Sequence, residues 1–168
     1  MTAGPATAAP ITVPTAAAMH ALGRRLASLL RAGDLVILSG ALGAGKTTLV
    51  QGIGEGLGVR GPVTSPTFVI ARVHPSLAGG PDLVHADAYR LASPAEVDDL
   101  DLDESMASSV TVIEWGGGLA EGLAADRLEV AIALAGEGRS VRFAGHGGRW
   151  AGAGDSAFTA LSGGVEGL

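Results

Sequence analysis

Gly40-Ala41-Leu42-Gly43-Ala44-Gly45-Lys46-Thr47 satisfies every fixed position of the phosphate-binding pattern G-x-x-x-x-G-K-[ST]. The pattern constrains the fold because it works only between a strand and a helix. A short apolar run, Leu35–Ser39, precedes it and suits a strand covered on both faces. Helical patterning follows from about Gly45 to Gly56, with Gly58 placed to terminate it. Small residues let successive backbone N–H groups converge on phosphate oxygens. The helix N-terminus behind them adds about half a positive charge. Lys46 is placed to reach β- and γ-phosphates, and the Thr47 hydroxyl to ligate Mg2+. In a chain with 27 glycines, glycines at the right spacing prove little. The lysine is more informative, because Lys46 is the only lysine in the protein.

Around this unit, strand and helix signals alternate. Residues 1–10 read as a disordered segment and Ile11–Val13 as a short edge strand. Thr15 is an N-cap for a helix to about Arg31, with Met19, Leu22, Leu26, Leu29 and Leu30 on one face. Thr67–His74 is β-rich, and Leu83–Asp87 and Val110–Ile113 are short strands. Leu128–Leu134 and Ser140–Phe143 read as a hairpin across Gly136–Gly138. From Gly145 to the end the chain is Gly/Ala-rich and reads as a mobile tail. The pattern predicts one α/β domain over 11–144, with a mixed sheet, a parallel centre, antiparallel additions and flanking helices.

A phosphate-binding loop of this type needs an acid near the metal. Asp87 ends one apolar run and Glu114 another. If both strands run parallel to Leu35–Ser39, their carboxyl ends lie on the ligand side. The competing reading for each acid is a cap on the following turn or helix. His85 lies two residues before Asp87 and so faces the same side of the strand, where it either positions a group near the phosphates or is structural. The acids of Glu96–Glu104 read as a solvated face, with partner docking as the alternative. His20, His74 and His146 have no company that suggests chemistry.

Composition narrows the function classes. Lys+Arg total 11 against Asp+Glu 17, giving a net charge of -6, which argues against a protein that grips nucleic acid unaided. Without cysteine there is no zinc-thiolate site, disulfide scaffold or catalytic thiol. The first residues lack the basic start of a secretory signal, and no apolar run is long enough to span a bilayer, so a cytoplasmic location is expected.

In order and spacing, Leu38–Val59, Ser65–Phe68 (SPTF), His85–Arg90 (HADAYR), Ile113–Trp115 (IEW) and Asp126–Val130 (DRLEV) resemble the TsaE family, formerly called YjeE. These are small bacterial P-loop ATPases of tRNA threonylcarbamoyladenosine (t6A) synthesis. The resemblance covers roughly 11–144. It implies that Gly40, Leu42, Gly43, Ala44, Gly45, Lys46, Thr47 and Thr48 serve the nucleotide and its metal, with ATP and Mg2+ as cofactors. It makes Ser65, Pro66, Thr67 and Phe68 a switch-like loop near the γ-phosphate, supported by Tyr89 and Arg90. Asp87 becomes the Walker-B-like acid, Glu114 acts on the metal or its water shell, and Trp115 lies beside the nucleotide. Thr15 falls near the adenine end. The implied partners are TsaD and TsaB, with TsaC completing the pathway and tRNA met only through the partners. One departure is Gly116-Gly117-Gly118 after Glu-Trp, where family members often carry proline and charged residues.

The alternative is a small-molecule kinase on the same loop. It would need arginines gathered round the donor phosphates and a lid, whereas Arg90, Arg127, Arg139 and Arg142 are scattered along the chain. A GTP switch is excluded, because its Asn-Lys-x-Asp signature needs a second lysine. The expected mechanism is slow ATP hydrolysis, accelerated when a partner completes the site.

Overall fold

The computed structural model describes residues 6–7, 9–41, 43–61, 63, 71–87, 107–114, 125–151, 158 and 160–162. Its framework is an eight-stranded mixed sheet. In chain order the elements are β1 (Ala6–Thr7), β2 (Ile11–Val13), α1 (Ala16–Ala27), β3 (Leu35–Gly40), α2 (Lys46–Leu57), β4 (Ala71–His74), β5 (Asp82–Asp87), β6 (Ser109–Glu114), β7 (Arg127–Ala135) and β8 (Gly138–His146). A single-turn helix, Gly148–Ala151, follows β8.

Across the sheet the order is β1-β8-β7-β3-β6-β5-β4, and β2 also pairs with β8. β3 runs parallel to both β6 and β7, and β5 runs parallel to β6. The β4–β5 and β7–β8 pairs are antiparallel, as are β1 and β2 on β8. The centre is therefore parallel and the edges antiparallel, as the alternation of elements predicts. The condition placed on the two acids is met, since β5 and β6 share the direction of β3. From β3 the chain lays β6 on one side and β7 on the other. The order thus reverses at β3, and the carboxyl end of β3 is where such sheets open a ligand crevice.

β3 is buried on both faces, as its unbroken apolar run requires. Val36 and Leu38 join one cluster with Val110 and Val112 of β6, Leu22 and Leu26 of α1, and Leu49, Val50 and Ile53 of α2. Leu35 and Ile37, on the other face, are 0% and 2% exposed. Both helices therefore cover the same side of the sheet. They approach closely because glycines face the seam. A Cβ on Gly52 would lie 2.1 Å from the His20 carbonyl oxygen, and one on Gly23 would lie 2.3 Å from that of Leu49. Local signals set the helix ends. The Thr15 hydroxyl accepts the Ala18 N–H at 3.0 Å, and Gly58 closes α2 in the left-handed region with φ 72°. α1 stops at Ala27, short of the expected Arg31, where the chain enters a turn whose end is held by Asp34 accepting the Arg31 N–H.

Two terminal expectations are corrected. Ala6–Thr7, inside the segment expected to be disordered, forms a strand on β8. The tail expected to be mobile from Gly145 contributes Trp150, Phe158 and Leu161 to the core. Trp150 and Phe158 are 1% and 0% exposed, and Phe158 stacks on Phe143 of β8 with centroids 5.6 Å apart. Arg149 fixes this segment with two 3.0 Å bonds to the Asp34 carboxylate and one of 2.6 Å to the Leu29 carbonyl. Three large apolar side chains spread thinly among Gly and Ala still bury enough surface to hold the chain down.

Candidate nucleotide-binding site

The loop between β3 and α2 lies at the carboxyl edge of the sheet. Gly43 and Gly45 have φ values of 80° and 107°, a region that L side chains avoid, and Gly45 is the N-cap of α2 without any side-chain bond. The first N–H groups of α2 therefore rely on the loop itself or on a ligand. Lys46 opens α2 and is 6% exposed. Its ammonium donates to the Gly40 and Ala41 carbonyls at 2.8 and 3.0 Å. The only lysine thus folds back over the loop it serves. Thr47 and Thr48 occupy the next positions of the first helical turn.

Beside this loop, register places the acids. Leu38 of β3 pairs with Glu114 of β6, and Glu114 pairs with Asp87 of β5. The three residues form one row across the carboxyl ends of adjacent parallel strands. Glu114 is 4% exposed, and its Oε2 lies 2.6 Å from Nε2 of fully buried His85. This contact gives His85 a buried partner in the Glu114 carboxylate. It joins residues 29 apart in the chain, and strand alternation alone could not reveal it. Nδ1 of His85 has no hydrogen-bond partner among the described residues. His74, on β4, has its pKa lowered, first by burial and then by the neighbouring charges of His85 and Arg72, so the neutral form is favoured.

A cavity of about 240 Å³ opens on the other side of the loop. Its walls include Thr15 and Met19 at the start of α1, Gly43, Ala44 and Gly45 of the loop, Thr48 of α2, and Arg139 of β8. Thr15 thereby lines the same cavity as the loop. In the sequence Arg139 is only one of several scattered arginines. Its guanidinium donates to the carbonyls of Ala44 and Gly43 at 3.1 and 3.2 Å.

Comparison with known proteins agrees with this geometry. The family profile described as Threonylcarbamoyl adenosine biosynthesis protein TsaE matches residues 13–141. The chain belongs to the TsaE family. The TsaE protein of Streptomyces coelicolor is 64% identical over 139 residues, covering 79% of this chain and 94% of that protein. The TsaE protein of Bacillus subtilis is 38% identical over 132 residues, covering 77% and 81%. A crystal structure of YdiB from Bacillus subtilis superposes with a TM-score of 0.65 at 28% identity, covering 90% of this chain and 89% of the other.

Several residues that the TsaE resemblance singles out lie outside the described residues. These are Leu42 of the loop, the switch-like segment Ser65, Pro66, Thr67 and Phe68, the supporting pair Tyr89 and Arg90, and Trp115. Of the residues that the resemblance singles out, the structure describes the rest of the loop, Thr15, Thr48, His85, Glu114 and the backbone of Asp87. No helix among the described residues is long and apolar enough to cross a membrane.

Proposed function

We propose that this protein binds and hydrolyses ATP with Mg2+ as an accessory of tRNA t6A synthesis, acting with TsaB and TsaD. The observation that carries the ATPase reading is the row Leu38–Glu114–Asp87, which supports it by aligning the backbones of two acids beside the strand that leads into the phosphate-binding loop. The biological setting is supported by family membership and by relatives named as tRNA threonylcarbamoyladenosine biosynthesis proteins.

The donor set suits the metal. Among the described residues no group of three or more His, Asp or Glu side chains could hold an ion alone. Mg2+ does not need one, because it is commonly bound by one or two carboxylates together with substrate phosphates. Thr47 supplies a hydroxyl, and Glu114 and Asp87 supply carboxylates, all hard oxygen donors. When bound, the ion neutralises charge on the β- and γ-oxygens.

The chain's own residues do the rest. The backbone N–H groups of Gly43 to Thr48 receive the phosphates, and Lys46 exchanges its loop carbonyls for phosphate oxygens. His85 holds the Glu114 carboxylate, which would act on the metal or its water when the ion is bound. By the TsaE resemblance, Ser65–Phe68 would act as the switch-like loop for the γ-phosphate, with Tyr89 and Arg90 supporting it and Trp115 beside the nucleotide. Net charge -6 suits a protein that leaves tRNA to its partners.

The test is ATP turnover by the isolated chain and by the chain mixed with the TsaB–TsaD complex. Slow turnover alone and stimulation by the complex are expected. Asp87→Asn and Glu114→Gln should each lower stimulated turnover by at least about tenfold while nucleotide affinity changes little. Rapid turnover alone without stimulation, or unaltered turnover in both variants, contradicts the proposal. Turnover that rises with small-molecule acceptors instead would favour a kinase.

A further inference from the structure

Two cations grip the phosphate-binding loop, one at each half. Lys46 bonds the Gly40 and Ala41 carbonyls, and Arg139 bonds those of Gly43 and Ala44. The lysine belongs to the motif, whereas the arginine arrives from β8, 95 residues beyond Ala44. A third bond, from Nη1 to the Gly138 carbonyl at 3.0 Å, holds the guanidinium in place at its base. All three nitrogens of the fork are therefore used on backbone oxygens.

The hairpin is built to deliver this side chain. Arg139 pairs with Val13 across β8 and β2, just before the Thr15 cap of α1. Gly138 lets the strand close in, since a Cβ there would lie 2.8 Å from the Val13 carbonyl oxygen and 3.1 Å from Cα of Pro14. The guanidinium consequently spans from the hairpin to the loop. In a trans peptide the carbonyl and the following N–H lie in one plane and point in opposite directions. Anchoring the Gly43 and Ala44 carbonyls fixes the planes that carry the N–H groups of Ala44 and Gly45. Gly43 and Gly45 have no side chains to restrict them, so an outside anchor has the most to do there.

We propose that Arg139 is a positioning residue for phosphate binding. Its guanidinium pre-forms the Gly43–Gly45 half of the loop before the nucleotide arrives, so that affinity for ADP or ATP depends on a residue outside the motif. This rests on the nucleotide-binding reading above. Without the anchor the loop must be ordered when the ligand binds, and that loss appears as weaker affinity. The role requires a planar fork that reaches two successive carbonyls, which a lysine ammonium cannot reproduce.

The experiment uses the full chain as wild type, Arg139→Ala, Arg139→Lys and, as a control, Lys46→Ala. ADP affinity is measured by calorimetry. Amide hydrogen exchange over the loop is measured without nucleotide. Both Arg139 variants are expected to bind ADP at least about tenfold more weakly, with loop amides exchanging at least about tenfold faster and those of β3 unchanged. Wild-type affinity in Arg139→Ala overturns the proposal. Weaker binding with unchanged loop exchange also overturns it, because Arg139 would then act by touching the nucleotide. Full affinity in Arg139→Lys overturns it in favour of charge alone. If Arg139→Ala does not fold, the lysine variant decides. A wild-type chain that binds no ADP refutes the nucleotide reading itself, an outcome distinct from any difference between variants.

Discussion

Replacing Trp150 with Ala tests whether the C-terminal segment belongs to the folded core. Trp150 is 1% exposed, stacks on Phe158 with centroids 6.1 Å apart, and closes on β8 where Gly145 leaves no room for a Cβ, which would lie 2.5 Å from that of Trp150. Trp-to-Ala changes in such surroundings cost about 3–5 kcal/mol. A chain of this size shifts its melting midpoint by about 2–4 °C per kcal/mol, so Tm should fall by roughly 6–20 °C. The variant should remain folded at 25 °C if total stability is in the usual range of about 5–15 kcal/mol. Arg149→Ala approaches the same dock from its polar side. It removes the charged partner of the Asp34 carboxylate, whose side chain is 4% exposed, leaves it only the Arg31 N–H among the bonds described above, and should cost about 3 kcal/mol. The two residues are neighbours and Arg149 lies over the Trp150 ring at 4.1 Å, so the double variant should lose less than the sum. Thermal melts followed by circular dichroism read both effects. A Trp150→Ala midpoint within about 2 °C of wild type would show that the segment is a loose tail and that its packing against β8 is wrong.

The other predictions concern the two buried histidines. His85→Ala leaves the Glu114 carboxylate, 4% exposed, without its 2.6 Å partner, and should cost about 2–3 kcal/mol in urea unfolding. It should also lower kcat for ATP with little change in nucleotide Kd, and an unchanged kcat would remove His85 from the site. For His74 the folded state favours the neutral ring, because burial first, and then the charges of His85 and Arg72, lower its pKa. Below the unfolded value of about 6.5 the unfolded chain binds more protons, so stability should be complete above that pH and decline as pH falls through the folded pKa. Urea unfolding at pH 7.5 and 5.5 should show a smaller difference in His74→Gln than in wild type.

The parts of the fold legible in the sequence are those with local causes. A continuous apolar run, a glycine loop, one lysine and a terminating glycine locate β3, the loop and α2 to within a residue or so, because each signal acts on its own neighbours. Thr15 was legible as a cap for the same reason. The acids were legible only conditionally. Asp87 and Glu114 end strands, but whether those strands lie parallel beside β3 depends on sheet order, which no local pattern encodes. The His85–Glu114 contact and the Arg139 anchor depend on register between distant strands. The burial of Trp150, Phe158 and Leu161 is not legible, because the Gly and Ala around them suggest mobility and the three are too widely spaced to form a periodic face.

Whether the loop around Lys46 is a nucleotide site is read most directly by calorimetric titration of Lys46→Ala with ATP and ADP in the presence of Mg2+, beside the wild type. The ammonium donates to the Gly40 and Ala41 carbonyls of the loop, and it is the only side-chain charge in the motif. Measurable binding by the wild type and its loss in the variant are expected, with unfolding midpoints that remain close. Undiminished nucleotide affinity in a folded Lys46→Ala protein would contradict the nucleotide reading.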